Sequence, residues 1–289
     1  MADSWDDLRG CLELRQHESA AGGSAFEGRS QRLSYHRIFG GQLLGQFVRA
    51  AALSCPTKTV KSLHVLFPAA GRTDEPVRYD LTRHREGGTF ATLTGVARQA
   101  AGVLATAAVS MHAAEDGPCW QAVAALGPVP GAAHRLGLDL IPWETRSTAD
   151  LDAPAAATPE FELWMRLPPV AAELAPALTA YATDLTLIGT ALRPVEGVGQ
   201  RDAGSAFTSA VTSHTLWFHR PIDPAGWLLL RQHSPVLAHG RCFGRGDVLT
   251  EDGALVASYA QEALLRFPTG PPEEPKEPAV RPKPQPRKS

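Results

Sequence analysis

The chemistry in this chain rests on few residues. Asp184 sits between Tyr181 and Leu185 in a mostly apolar stretch that patterns as a helix. A carboxylate held among apolar groups has a raised pKa, which suits a general base near neutral pH. By residue type alone Asp184 reads equally as an N-cap or a carboxylate on a solvated face. Gln261, with Ala257, Tyr259 and Ala260 around it, reads as a polar residue on a strand. Gly40 and Gly41 lie near the start of an apolar helix. A helix N-terminus offers free backbone N–H groups and the positive end of the dipole, which a developing oxyanion requires. The same glycines also read as a site of close packing. His64, His214 and His219 lie in strand-like runs near aromatic residues and read as hydrogen-bonded core or rim histidines.

Other chemistries are excluded by pattern. No H-E-x-x-H, P-loop, G-x-G-x-x-G or G-x-S-x-G motif is present, and Gly197-Val198-Gly199 lacks the third glycine of a dinucleotide fingerprint. Cys11, Cys55, Cys119 and Cys242 are too far apart for a C-x-x-C pair and have no histidine cluster beside them. They read as reduced thiols rather than a zinc site or disulfide scaffold, so neither metal nor cofactor is expected. The 28 Lys and Arg balance 30 Asp and Glu, which argues against nucleic acid as the main partner. The apolar runs are too short to span a membrane, and the acidic start lacks a basic-then-apolar leader. A cytoplasmic location is the expectation.

These residues need a scaffold, and 289 residues with 44% hydrophobic content can bury a sizeable core. Residues 4–14 pattern as a short helix and 36–54 as a long one. Gly40, Gly41 and Gly45 are costly inside that long helix, so something must pack very close to it. Strand-like alternation follows over 62–67, 77–84, 89–98 and 103–112. Residues 113–160 are rich in Ala, Pro and Gly and read as a long connection. A strand candidate over 161–167, a helix over 171–193 and four more strands (206–219, 226–233, 238–249 and 255–267) complete the pattern. Phe67 and Phe218, Gly95 and Gly246, Gly102 and Gly253, and Leu104 and Leu255 share one offset (218 − 67 = 151), so the second half repeats the first.

One helix wrapped by a curved antiparallel sheet is the hotdog architecture. The expected fold is α+β, a double hotdog of two tandem units. The expected boundaries are 1–112 for the first unit with its leading helix, 113–160 for the linker and 161–267 for the second unit. Residues 268–289 hold eight of the 24 prolines with alternating charges and read as a disordered tail.

Five motifs in order resemble the acyl-CoA thioesterase II family. They are Arg37-Ile38-Phe39-Gly40-Gly41-Gln42-Leu43-Leu44-Gly45-Gln46; Ser62-Leu63-His64 with Phe67; Tyr181-Ala182-Thr183-Asp184-Leu185; Trp217-Phe218-His219-Arg220-Pro221; and Ala257-Ser258-Tyr259-Ala260-Gln261-Glu262. The resemblance covers roughly residues 30–112 and 160–267. It implies hydrolysis of fatty acyl-CoA to free acid and CoA by a held water, with no Ser, Cys or His nucleophile. Carried over residue by residue, the water-activating carboxylate is Asp184 and the orienting amide is Gln261. Gly40 and Gly41 fall at the helix start that polarises the thioester carbonyl. The family's third water-holding position, a Thr or Ser, falls on Val211. Thr212 would replace it if a β-bulge re-aims the chain; Ser213 shares Val211's face but sits ~6–7 Å further along the strand.

That departure keeps a second reading open, an acyl-CoA binding protein that does not hydrolyse. A third, an enoyl-CoA hydratase, requires a His about five residues from the Asp, and none follows Asp184 within that span. The expected partner is small-molecule acyl-CoA, with a homodimer or higher homo-oligomer compatible with the fold.

Overall fold

The glycine-bearing helix forms, but it starts at Gly40 rather than at residue 36, because Phe39 is extended at its N-cap. In the computed structural model, which describes residues 2–19, 23–33 and 37–268, it is α2 (Gly40–Ser54). The tail expectation, apart from Pro268, lies outside the described residues. Every residue from Gly41 to Val48 is buried, as befits a helix enclosed on nearly all sides. The two glutamines of that stretch are satisfied internally. Gln42 Oε1 accepts from the Gln31 N–H at 3.0 Å, and Gln46 Nε2 donates to the Cys11 carbonyl at 2.8 Å. The Tyr79 hydroxyl donates to Gln46 Oε1 at 2.6 Å. These bonds tie the leading helix α1 (Ala2–Cys11) and residue 31 to α2, so these two glutamines of the first motif serve the core.

The strands are β1 (Arg15–His17), β2 (Gly23–Gly28), β3 (Thr59–Leu66), β4 (Val77–Glu86), β5 (Phe90–Gln99) and β6 (Gly102–His112) in the first half. The second half contributes β7 (Glu144–Arg146), β8 (Glu160–Arg166), β9 (Thr208–Phe218), β10 (Trp227–Ala238), β11 (Arg241–Thr250) and β12 (Leu255–Arg266). They form one antiparallel sheet of twelve strands in the order β1-β2-β4-β5-β6-β3-β9-β12-β11-β10-β8-β7. Read outward from its middle, each half repeats the other, and the fold is a double hotdog.

The halves join where β3 pairs with β9. Ser62 lies opposite Trp217 and Leu66 opposite Ser213, pairs that interchange under the offset of 151. His64 faces Thr215, its own counterpart, and His64 Nδ1 lies 2.6 Å from Thr215 Oγ1 on the pseudo-twofold axis. Bulges repeat too: Lys61 is skipped between β3 and β6, and Thr212 between β9 and β12. Along β6 and β12 the offset becomes 152. Leu104 is therefore matched by Val256, each the skipped residue, rather than by Leu255 as the gapless alignment has it.

Two other expected elements differ. The helix anticipated over 171–193 is broken into α3 (Ala175–Thr183) and α4 (Leu187–Leu192), with Pro176 accommodated in the first turn of α3. The break falls at Asp184-Leu185-Thr186. There the Thr183 hydroxyl donates to the Ala180 carbonyl at 2.8 Å, and Thr186 Oγ1 donates to Gln232 Oε1 on β10 at 2.9 Å. The 113–160 connection is not featureless. It contains a 3-10 turn (Ala132–His134) and β7, which extends the sheet edge. Earlier in it, Val123, Leu126 and Val129 pack on Trp164, Trp227, Leu229 and Leu249. Gln121 clamps this strap by accepting from the Leu255 N–H at 2.9 Å and donating to the Gly253 carbonyl at 2.6 Å.

Gly95 and Gly246 occupy matching places and leave room for rings. An added Cβ at Gly95 would lie 2.9 Å from the Phe47 ring. At Gly246 it would lie 2.5 Å from the Tyr259 ring and 2.9 Å from the Arg231 carbonyl. Overpacking of this kind costs about 1–3 kcal/mol, so Gly95→Ala and Gly246→Ala should both lower the urea midpoint. Gly246→Ala should lower it more, because the backbone oxygen cannot swing away as a ring can.

Candidate active site

The break after α3 delivers Asp184 to the start of α2. Its side chain is 2% exposed. The Gly41 N–H donates to the carboxylate. Gly40 passes so close that a Cβ there would lie 2.7 Å from Asp184 Oδ2, and a Cβ on Gly41 would collide with the Tyr181 carbonyl. Gly41 is needed because α2 meets the backbone of α3 here, and Gly40 leaves room for the Asp184 carboxylate itself. Burial pushes the Asp184 carboxyl up to about 7; the Gly41 N–H and the Arg37 guanidinium pull the other way. Asp184 Oδ1 has no protein hydrogen-bond partner.

Gln261 comes from the inner face of β12, where it is 2% exposed and directly opposite His214 on β9. His214 Nδ1 lies 2.8 Å from Gln261 Oε1 and 3.9 Å from Asp184 Oδ1, so both residues flank the same ring nitrogen. The second separation is too long for a hydrogen bond. Burial pushes the His214 imidazole down to about 4, so it faces Asp184 as a neutral ring rather than as an ion-pair partner. Gln261 Nε2, like Asp184 Oδ1, is buried without a partner.

Among the sequence candidates, the structure brings together Asp184, Gln261 and the Gly40–Gly41 helix start. It does not bring the Thr212 or Ser213 hydroxyl to them. The bulge at Thr212 is present, but its Oγ1 donates to the Glu262 carbonyl at 3.0 Å. Ser213 precedes the inward-facing His214 and by strand alternation faces outward, opposite Leu66 and Glu262. Val211 itself lines the cavity beside Asp184. That cavity, about 360 Å³, is walled by both halves: Ile38, Phe39, Leu43 and Phe67 from the first, Leu185 and Phe207 from the second. Arg37 stands in its wall, and its Nη2 donates to the Ser209 carbonyl at 2.8 Å. His214 and Thr183 were not legible as site residues. The only available signal was the strand register, which sets His214 opposite Gln261.

The raised Asp184 pKa has a consequence for stability. Unfolded, this carboxyl titrates near its ordinary value of 3.8; folded, it titrates at about 7. Between those values the folded chain holds a proton the unfolded chain has lost, so this group's contribution to stability falls as pH rises. Asp184→Asn should therefore be more stable than wild type, with the gap in melting temperature wider at pH 8 than at pH 5.

Comparison with known proteins adds to the geometry. Residues 30–112 match the acyl-CoA thioesterase N-terminal domain and residues 112–265 the acyl-CoA thioesterase C-terminal domain. Acyl-CoA thioesterase 2 of Haemophilus influenzae is 31% identical, covering 92% of this chain and 99% of that protein. Human acyl-coenzyme A thioesterase 8 is 26% identical over 83% of this chain and 84% of its own. The crystal structure of an acyl-CoA thioesterase II from Mycobacterium marinum superposes with a TM-score of 0.72 at 30% identity, covering 94% of this chain and all of that one. With both domain models matched in order and a relative aligned over nearly its whole length, the chain belongs to the acyl-CoA thioesterase family.

Proposed function

We propose that this protein hydrolyses fatty acyl-CoA to free fatty acid and CoA, using a water activated by Asp184 and oriented by Gln261. One observation carries the reading: Asp184 Oδ1 and one end of the Gln261 amide are both buried without a partner and flank one ring nitrogen beside an apolar cavity. Two unpartnered buried polar atoms are costly unless a molecule meets them, and a water suits both. The family names of the relatives support an acyl-CoA substrate.

The acyl chain occupies the cavity with its thioester carbonyl at the start of α2. Gly41 has already given its N–H to Asp184, which leaves the Gly40 N–H and the dipole for the developing oxyanion. Asp184 takes a proton as the water oxygen bonds to the thioester carbon. Collapse of the tetrahedral intermediate breaks the C–S bond, and Asp184 returns the proton to the departing thiolate of CoA. The reduced cysteines of the sequence fit a cytoplasmic setting. Among the described residues no helix is long and apolar enough to cross a membrane.

Val211 favours the second reading, a protein that holds acyl-CoA without cutting it, because valine offers the water no hydroxyl. Thiol release from C4 to C18 acyl-CoAs decides between them. The expected result is release by wild type with a chain-length optimum, and a loss of ~100-fold or more in Asp184→Asn. Tight binding without release establishes the second reading. Because the base must be ionised, kcat/KM should rise with pH and level off above about 7. Val211→Thr should raise kcat by supplying the absent hydroxyl, and an unchanged or lower kcat would show that two groups suffice to hold the water.

A further inference from the structure

His214 is a buried polar group beside the proposed site that the proposed chemistry leaves without a task. Its ring is fully enclosed and stacks on Tyr259 at a centroid distance of 5.9 Å and an interplanar angle of 9°. Tyr259 is itself held: its hydroxyl accepts from Gln232 Nε2 at 2.8 Å, and Gln232 Oε1 accepts from the Thr186 hydroxyl at 2.9 Å. At the ring edge, Nε2 lies 3.1 Å from Thr183 Oγ1 and Nδ1 lies 2.8 Å from the Gln261 amide. The ring thus bridges the residue before Asp184 and the proposed orienting amide.

We infer that His214 is a positioning residue that locks the Gln261 amide with its oxygen toward the attacking water. The inference rests on the hydrolytic reading above and follows from counting protons. A hydroxyl has one proton, and Thr183 gives its own to the Ala180 carbonyl at 2.8 Å. Thr183 Oγ1 can then only accept from His214, which places the ring proton on Nε2. A neutral imidazole carries one proton, so Nδ1 accepts. Its donor is the Gln261 NH2, since the two ends of an amide are alike in shape and the network decides which faces which partner. The amide oxygen then faces away from the ring, at the end that lacks a protein partner.

This orientation matters for the attack. A water that donates one proton to Asp184 Oδ1 and the other to the Gln261 oxygen keeps a lone pair free for the thioester carbon. An NH2 facing the water would instead occupy one of the oxygen's two lone pairs and make it a weaker nucleophile. His214 acts through Gln261 and touches no reacting atom.

The test exploits two side chains that imitate half an imidazole each. Asparagine carries its amide near the position of Nδ1, and glutamine carries its amide near Nε2. His214→Asn keeps a partner for Gln261 and gives up Thr183, whereas His214→Gln does the reverse. In thiol-release assays, His214→Asn should stay within ~5-fold of wild-type kcat, while His214→Gln should fall about as far as Gln261→Ala, ~100-fold, with KM little changed. His214→Gln/Gln261→Ala should be no slower than Gln261→Ala alone, because both remove one function. A merely structural histidine would not separate the two variants in kcat. Equal kcat in the two, or wild-type kcat in His214→Gln, overturns the inference. A measurement on wild type needs no variant to fold: 15N NMR of histidine-labelled protein should show Nε2 protonated and Nδ1 bare, and a protonated Nδ1 also overturns it. If wild type releases no thiol, the hydrolytic reading itself falls, and this role with it.

Discussion

How near α2 can come to the break between α3 and α4 governs the site. A carboxylate as buried as Asp184 would stay protonated at neutral pH if burial alone acted on it. The Gly41 N–H, at the positive end of α2, opposes that tendency and brings the ionised form into range. The contact exists because neither Gly40 nor Gly41 carries a Cβ that would push the Tyr181 carbonyl or Asp184 away. Lengthening the approach by a methyl group would strand the carboxylate in an apolar wall without its donor. The costly glycines of the first motif therefore temper the effect of burial on a residue more than 140 positions later in the chain.

Much of this frame was legible in the sequence, for reasons particular to it. The β4 to β6 meander and its counterpart β10 to β12 showed as alternation punctuated by glycine turns. The shared spacing of Gly95 with Gly246 exposed the repeat before any coordinate did. The break in the second helix was hidden, because residues 175–192 are apolar on both sides of it. Its causes are hydroxyl bonds from Thr183 within the helix and from Thr186 to Gln232 on a distant strand. The three-residue β7 and the strap near Gln121 were equally hidden. A stretch rich in Pro, Ala and Gly gives no alternation, and both elements take their form from the sheet they lie against.

The site divides in the same way. Asp184 and Gln261 came from resemblance to a family, since nothing in their spacing requires that they meet. The register of β9 on β12 joins them through His214, and a histidine in a strand reads as ordinary core until that register is known. The bulge at Thr212 shows the limit of local reasoning from the other side. The backbone irregularity that would have rescued the hydroxyl is present, yet the hydroxyl satisfies the Glu262 carbonyl instead. A bulge frees backbone acceptors as well as redirecting side chains, and here the nearer acceptor takes the proton.

The pseudo-twofold axis through His64 and Thr215 carries one more implication. Under it, the His214–Gln261 pair maps onto Leu63 and Val109, which also face each other across two strands and are also buried, but are wholly apolar. The position related to this polar pair is plain hydrocarbon. Two identical subunits could not make that exchange, because any substitution that simplified one site would erase its twin. Joined in one polypeptide, the halves mutate independently. One keeps buried polar groups, and the other spends the same positions on cohesion. Covalent linkage thereby relaxes the conflict between buried polar groups and a well-packed interior by assigning each to a different copy of the same fold.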